Sequence, residues 1–171
     1  YSVDVDPNFY YNWSLPDGGG KILSGAGTHE ILVEWQDHGT RSVEVTVGIL
    51  NTTGCETTEN LPVEVYETPQ PVVTASPTTV CFGNPVQLDA GVTGFDYAWT
   101  PVSGLDDASI RNPVFQATDN PKTRSEDILF EVTVTNPSES TCQSTGSVEV
   151  TLLRRPETGN IYHVPNNFDQ N

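Results

Sequence analysis

The sequence predicts an all-β protein, two tandem immunoglobulin-like antiparallel β-sandwiches, and three observations carry that expectation. In Phe95-Asp96-Tyr97-Ala98-Trp99-Thr100-Pro101 the three aromatics fall on alternate positions. In a strand they share one face, with enough apolar area to seed a sheet-on-sheet core. The pattern also repeats. Phe9-Tyr10-Tyr11-Asn12-Trp13-Ser14 echoes it upstream, Val43-Glu44-Val45-Thr46-Val47 matches Phe130-Glu131-Val132-Thr133-Val134, Cys55 matches Cys142, and Val63-Glu64-Val65 matches Val148-Glu149-Val150, at offsets of 85 to 87 residues. A period of that length is too long for a solenoid unit and right for small domains in tandem. Finally, Thr and Val dominate, Met is absent, and 14 Gly with 13 Pro punctuate the chain. That is the makeup of many short strands joined by turns.

The elements follow in order. Ser2 to Asp6 alternates as a strand that Pro7-Asn8 turns. Phe9 to Leu15 is the aromatic strand, Pro16 to Gly20 a turn, and Lys21 to Ser24 a short edge strand. Thr28 to Trp35 places Ile31, Val33 and Trp35 on one face; Gln36 to Gly39 reads as a hairpin loop. Arg41 to Leu50 then alternates with Val43, Val45 and Val47 inward. Asn51 to Gly54 turns into the Cys55 segment, Leu61 to Val65 closes the first copy, and Glu67-Thr68-Pro69-Gln70-Pro71 is a semi-rigid linker. In the second copy the expected strands are Val72–Ala75, Pro85–Ala90, Phe95–Thr100, Pro113–Ala117, Ile128–Thr135 and Gly146–Leu153, with a seventh near Val80. Pro101 should end the third of these, because it cannot continue a central ladder. An antiparallel barrel is the competing architecture. The expected domains are residues 1–67, a sandwich lacking its first strand; 68–155, a full sandwich; and 156–171, a linker and the start of something further.

The chain carries 7 Lys plus Arg against 23 Asp plus Glu, a net charge of −16. That argues against nucleic acid or anionic lipid as partners. No apolar run approaches a membrane span. Gly18-Gly19-Gly20-Lys21 has Ile22 where a phosphate loop needs Ser or Thr, so it reads as a turn. His29, His38 and His163 have no zinc-site spacing with the three cysteines, and Ser24 lies outside any nucleophile elbow. Asp4 with Asp6, and Asp106 with Asp107, could supply oxygens to calcium, though neither pair has EF-hand spacing; solvated turn carboxylates are the plainer account. No catalytic, cofactor or metal residue is therefore assigned, and the chain does not read as an enzyme.

Several motifs carry a family resemblance. Cys81-Phe82-Gly83-Asn84-Pro85-Val86-Gln87-Leu88-Asp89-Ala90, then Tyr97-Ala98-Trp99-Thr100-Pro101 with Gly104-Leu105, Asn112-Pro113, Val132-Thr133-Val134 and Cys142 resemble the PKD-like domains of Bacteroidota surface proteins. Residues 1–66 look like a related PKD-like type, through Trp13, the Gly25-to-Trp35 stretch and Gly54-Cys55. Ile161-Tyr162-His163-Val164-Pro165-Asn166-Asn167-Phe168 is similar to the opening of the gliding-motility-associated C-terminal domain, the sorting signal of type 9 secretion. Here Asn167 stands for the usual Ala, and Asp169-Gln170 for the usual Thr-Pro. The resemblance implies a long adhesin on the cell surface, anchored at the outer membrane, of gliding-motility type. Its repeats would be spacers and adhesive modules. The implied partners are neighbouring repeats of the same chain, type 9 secretion machinery or surface anchoring proteins, and surface glycans. The alternative is a carbohydrate- or protein-binding module of a secreted hydrolase, for which Tyr10, Tyr66 or Phe82 would have to supply an exposed platform.

The candidate structural residues are Trp13, Trp99, Tyr11, Tyr97 and the cysteines. Cys81 and Cys142 flank the strands of one copy, and an acidic, secreted-type composition implies an oxidising compartment. A disulfide between them is expected, worth about 4 kcal/mol in the chain-entropy account. Cys55 is then expected to find its partner outside the chain. The apolar residues of the tail, Ile161, Tyr162 and Val164, are expected to open a further domain rather than to join the second sandwich.

Overall fold

The computed structural model describes residues 1–157 and 159, and every element in it is a strand. The expectations for Ile161 to Phe168 therefore lie outside the described residues. The described residues form two compact units: Tyr1–Pro69 with Thr135–Gln143, and Gln70–Val134 with the described residues from Ser144 on.

In the first unit, β1 (Phe9–Ser14), β4 (Gly39–Ile49) and β5 (Glu56–Val65) form an antiparallel sheet in the order β1-β4-β5. β2 (Gly20–Ser24) and β3 (Leu32–Trp35) form a separate hairpin. Alternation sets the core: Tyr11 and Trp13 from β1 and Val43 and Val45 from β4 face inward, and meet Ile31, Val33 and Trp35 from the other layer. Two sequence expectations need correction. Ser2 to Asp6 is not a strand; only Ser2 bridges, to Glu30. Pairing stops after Val3, and the Asp6 amide donates to the Tyr11 hydroxyl at 2.7 Å instead of to a neighbouring strand. Gln36 to Gly39 is not a hairpin loop either, because β3 pairs with β2 while β4 pairs with β1 and β5. The amides of Gln36 and Asp37 instead donate to the carbonyl of Gly19 as the chain crosses between sheets.

The second unit has two facing sheets. β6 (Thr74–Ser76), β8 (Val86–Asp89) and β10 (Val114–Phe115) make one, in the order β10-β8-β6. β7 (Thr79–Cys81), β12 (Glu139–Leu153), β11 (Ser125–Asn136) and β9 (Asp96–Thr100) make the other, in the order β7-β12-β11-β9, apart from the hairpin tip Thr135–Gln143 that groups with the first unit. Val86 and Leu88 from one sheet close on Trp99, Phe130, Val132, Val134, Val150 and Leu152 from the other. The rings of Phe115 and Phe130 meet edge-on across the gap, with centroids 4.9 Å apart. All seven expected strands are present, and β9 stops at Thr100, before Pro101. Two separate sheets make this a sandwich rather than a barrel.

One pairing departs from the antiparallel rule. β7 runs parallel to β12, with Leu152 opposite Val80. Only Pro77 and Thr78 separate β6 from β7, so the chain leaves one sheet and joins the other within two residues. The β11–β12 hairpin also reaches further than apolar alternation shows, because Cys142 to Thr145 is polar strand. Its two-residue turn, Pro137-Ser138, is held by the Ser138 amide donating to Asn136 Oδ1 at 2.9 Å.

Candidate functional site

The candidate structural residues fall into equivalent places in the two units. Trp99 is 1% exposed and donates its indole N–H to the Ile110 carbonyl at 2.9 Å; Trp13 is 8% exposed and donates to the Thr28 carbonyl at 2.8 Å. Tyr97 donates its hydroxyl to the Val92 carbonyl at 2.7 Å. Tyr11 lies against the backbone the same distance upstream, accepting from the Asp6 amide. In each unit a Trp and a Tyr on one strand therefore pack on the core, Trp13, Trp99 and Tyr11 buried and Tyr97 half-buried, and spend their polar atoms on loop backbone.

The cysteines behave differently. Cys55 and Cys81 are exposed, Cys142 is half-buried, and all three are free thiols. The expected Cys81–Cys142 bridge is thus corrected. Cys81 pairs with Leu153 at one end of β12, and Cys142 sits on that same strand near its other end. The intervening strand spans roughly 36 Å at about 3.3 Å per residue, whereas a disulfide needs Cα atoms within about 7 Å. Repeat position alone could not reveal this, because it does not show how far β12 extends before Gly146. Cys55 lies at the head of β5, where its carbonyl accepts from the Ile49 amide.

Of the carboxylates considered for calcium, those of Asp6, Asp106 and Asp107 accept hydrogen bonds from nearby backbone and side chains. Asp6 Oδ1 accepts from the Asn8 amide at 2.8 Å, and Asp106 Oδ1 accepts from the amides of Asp107 and Val114, each at 2.8 Å. Asp107 Oδ1 accepts from the Ser109 hydroxyl at 2.6 Å and its amide at 2.8 Å, and these bonds hold the carboxyl below the usual carboxylate range. Among the described residues no three His, Cys, Asp or Glu side chains come together as metal ligands. No helix there is long and apolar enough to cross a membrane.

The aromatics considered for a sugar platform are not assembled into one. Tyr10 lies across Gly48, where a Cβ would meet its ring, and donates its hydroxyl to Glu56. Tyr66 follows the far end of β5, nearly the full length of that strand away. Phe82 packs against the core of the second unit.

The feature that stands out is a cleft of about 290 Å³ in the first unit, lined by Tyr1, Val3, Trp13, Val43, Val45 and Leu61 among others. β5 creates it. In the β4–β5 ladder Val43 lies opposite Leu61 and Val45 opposite Glu59, so Glu59 and Leu61 project from the core-facing side of the sheet. Yet Leu61 is 53% exposed. Beneath the cleft Trp13, Val43 and Val45 are buried, while Leu61 at the rim stays open to solvent. Sequence reasoning took Leu61 to Val65 as a closing strand and missed this, since alternation names the inward face without saying what covers it.

The fold and the site define an all-β, immunoglobulin-like sandwich module without a convergent polar centre among its described residues. Residues 1–63 match the model of the PKD-like domain family. Two solved structures are similar over most of the chain. Mouse cadherin-23 EC22-24 is 13% identical with a TM-score of 0.45, covering 90% of this chain and 58% of that one. The zebrafish RET cadherin-like domains 1 to 4 are 12% identical with a TM-score of 0.27, covering 88% of this chain and 42% of that one. The chain thus spans 58% or less of the length of either structure. No curated protein matches.

Proposed function

We propose that this segment is a non-catalytic structural and adhesive repeat of an extracellular surface protein. The observation that carries it is that the polar handles of the core aromatics in each unit, the hydroxyls of Tyr11 and Tyr97 and the indoles of Trp13 and Trp99, are turned to loop backbone. These groups hold a scaffold and do not converge on a common point. The PKD-like match over residues 1–63 and the excess of acidic groups, which keeps neighbouring copies apart, agree with that role. The finer assignment, an adhesin of gliding-motility type exported by type 9 secretion, rests on the resemblance of the Cys81-to-Cys142 motifs and of residues 161–168. Antibodies against this segment should label intact source cells without permeabilisation, and the label should disappear in a strain lacking type 9 secretion. Labelling only after lysis rejects the surface role; surface labelling that survives loss of that machinery rejects the export route alone.

A further inference from the structure

We propose that the cleft of the first unit is an acceptor for one extended peptide strand, uncharged or basic, added from outside these 171 residues. The second unit shows what fills this position in a closed sandwich. There β8 is flanked on both sides, by β10 and by β6, and β7 lies along β12 with Val80 only 6% exposed. The lead-in to β6 crosses β12 at Gly146, where an added Cβ would fall 2.6 Å from Val73 Cγ2 and 3.3 Å from Pro71 Cγ.

The first unit has the same surroundings without the occupant. Tyr1 to Val3 holds the place of β8, and among the described residues it pairs on one side only: the Val3 amide donates to the His29 carbonyl, the Ile31 amide to the Tyr1 carbonyl, and Ser2 bridges Glu30. β5 holds the place of β12, and no strand lies along its outer edge among the described residues. Two backbone edges thus flank a cleft whose rim carries the exposed Tyr1 and Leu61, above the buried Trp13, Val43 and Val45. A strand entering there would satisfy backbone groups and cover side chains in one step, the physics of strand addition at a sheet edge.

Charge and size narrow the occupant. Glu59 lines the cleft, and Glu56 and Glu64 share its strand, so an acidic strand would meet like charge. The segment that fills the position in the second unit, residues 70–80, has no charged side chain. Leu61 stands where the second unit has Gly146, so the strand must carry a small residue where Val73 passes.

The proposal goes beyond the adhesive reading and is tested separately from it. The isotope-labelled full chain is titrated with a synthetic peptide of the sequence of residues 70–80 carrying Val73→Ala, and followed by NMR. Saturable shifts are expected at the Trp13 indole and at Val3, Val43, Val45 and Glu59 to Leu61, with Trp99 and Val132 unmoved. The unmodified peptide should bind more weakly. Ala75→Asp in the peptide, or Leu61→Glu at the exposed rim of the protein, should each weaken binding at least tenfold, about 1.4 kcal/mol. No shift up to about 1 mM peptide, a range that detects even interactions near −4 kcal/mol, overturns the proposal. So does an equal response to a scrambled peptide. Shifts of the same residues with protein concentration alone would assign the cleft to a second copy of this chain instead.

Discussion

Trp13 and Trp99 are the same residue in the same place on the same kind of strand, and their surroundings make them unequal. Trp99 is enclosed by both sheets; Trp13 forms part of an open cleft floor. Trp99→Ala should cost about 3–5 kcal/mol, the usual range for an enclosed aromatic, and Trp13→Ala less, because part of its surface already faces solvent. Denaturant titration followed at cross-peaks of each unit checks this, and equal losses would mean that the cleft is closed in solution. The thiols give a second test at this scale. Cys55 and Cys81 are exposed and free, so a thiol reagent should modify both in the native chain, and a reducing agent should leave the melting temperature unchanged. A fall on reduction would restore a bridge that the geometry rejects. Asp89 supplies a third. Its partial desolvation pushes its pKa up, but the Gly91 amide at 2.8 Å and the two-pronged contact of Arg111, at 2.8 and 3.1 Å, outweigh this and hold the carboxyl below its ordinary value. A lowered folded pKa means stability fully present above the unfolded carboxylate value, near 4, and lost as pH falls through the folded one. The pair is more than a third exposed, so screening keeps its worth under about 1 kcal/mol. Asp89→Asn should therefore be less stable than the parent at pH 7, and the difference should shrink below about pH 4. A difference that persists unchanged in acid would show that charge is not what the pair contributes.

At the scale of elements, the smallest strand has the largest leverage. β7 is three residues long, yet it seals the edge of β12 and sets Val80 into the core. Val80→Asp puts an unpaired carboxylate there and should cost about 3 kcal/mol or more. Amide exchange across β7 and β12 should rise well above that of β8 and β10. Uniform loss across the unit would instead mean that β7 is not a separable seal. The long strands were legible only in part. Alternation marks Val43 to Val47 and Phe130 to Val134, since an apolar residue at every second position has one solution in a half-buried strand. It is silent over Glu56 to Asn60 and Cys142 to Thr145, where polar residues are carried into strand by the ladder of their neighbours.

For the whole molecule, one plan is present twice and closed once. The second unit buries Val86, Leu88, Phe130, Val132, Val134 and Val150 completely, while no core residue of the first falls below 2% exposure. The first unit should thus be the earlier to unfold. Hydrogen exchange should show faster opening at Val43 and Val45 than at Val132 and Val134. The opposite order would mean that the open cleft has no energetic consequence.

What the sequence determined by itself was local and periodic: the strand character, the shared face of Tyr97 and Trp99, the end of β9 at Pro101, the repetition near 86 residues, and the two-layer architecture. These follow from alternation and from backbone chemistry, which act between near neighbours. Tertiary structure alone decided which strands pair, and so it overturned the hairpin at Gln36 to Gly39 and the Cys81–Cys142 bridge. It also decided that Leu61, patterned as a core residue, has no cover. Pairing, register and enclosure depend on groups far apart in the chain, and side-chain pattern carries no record of distance between them.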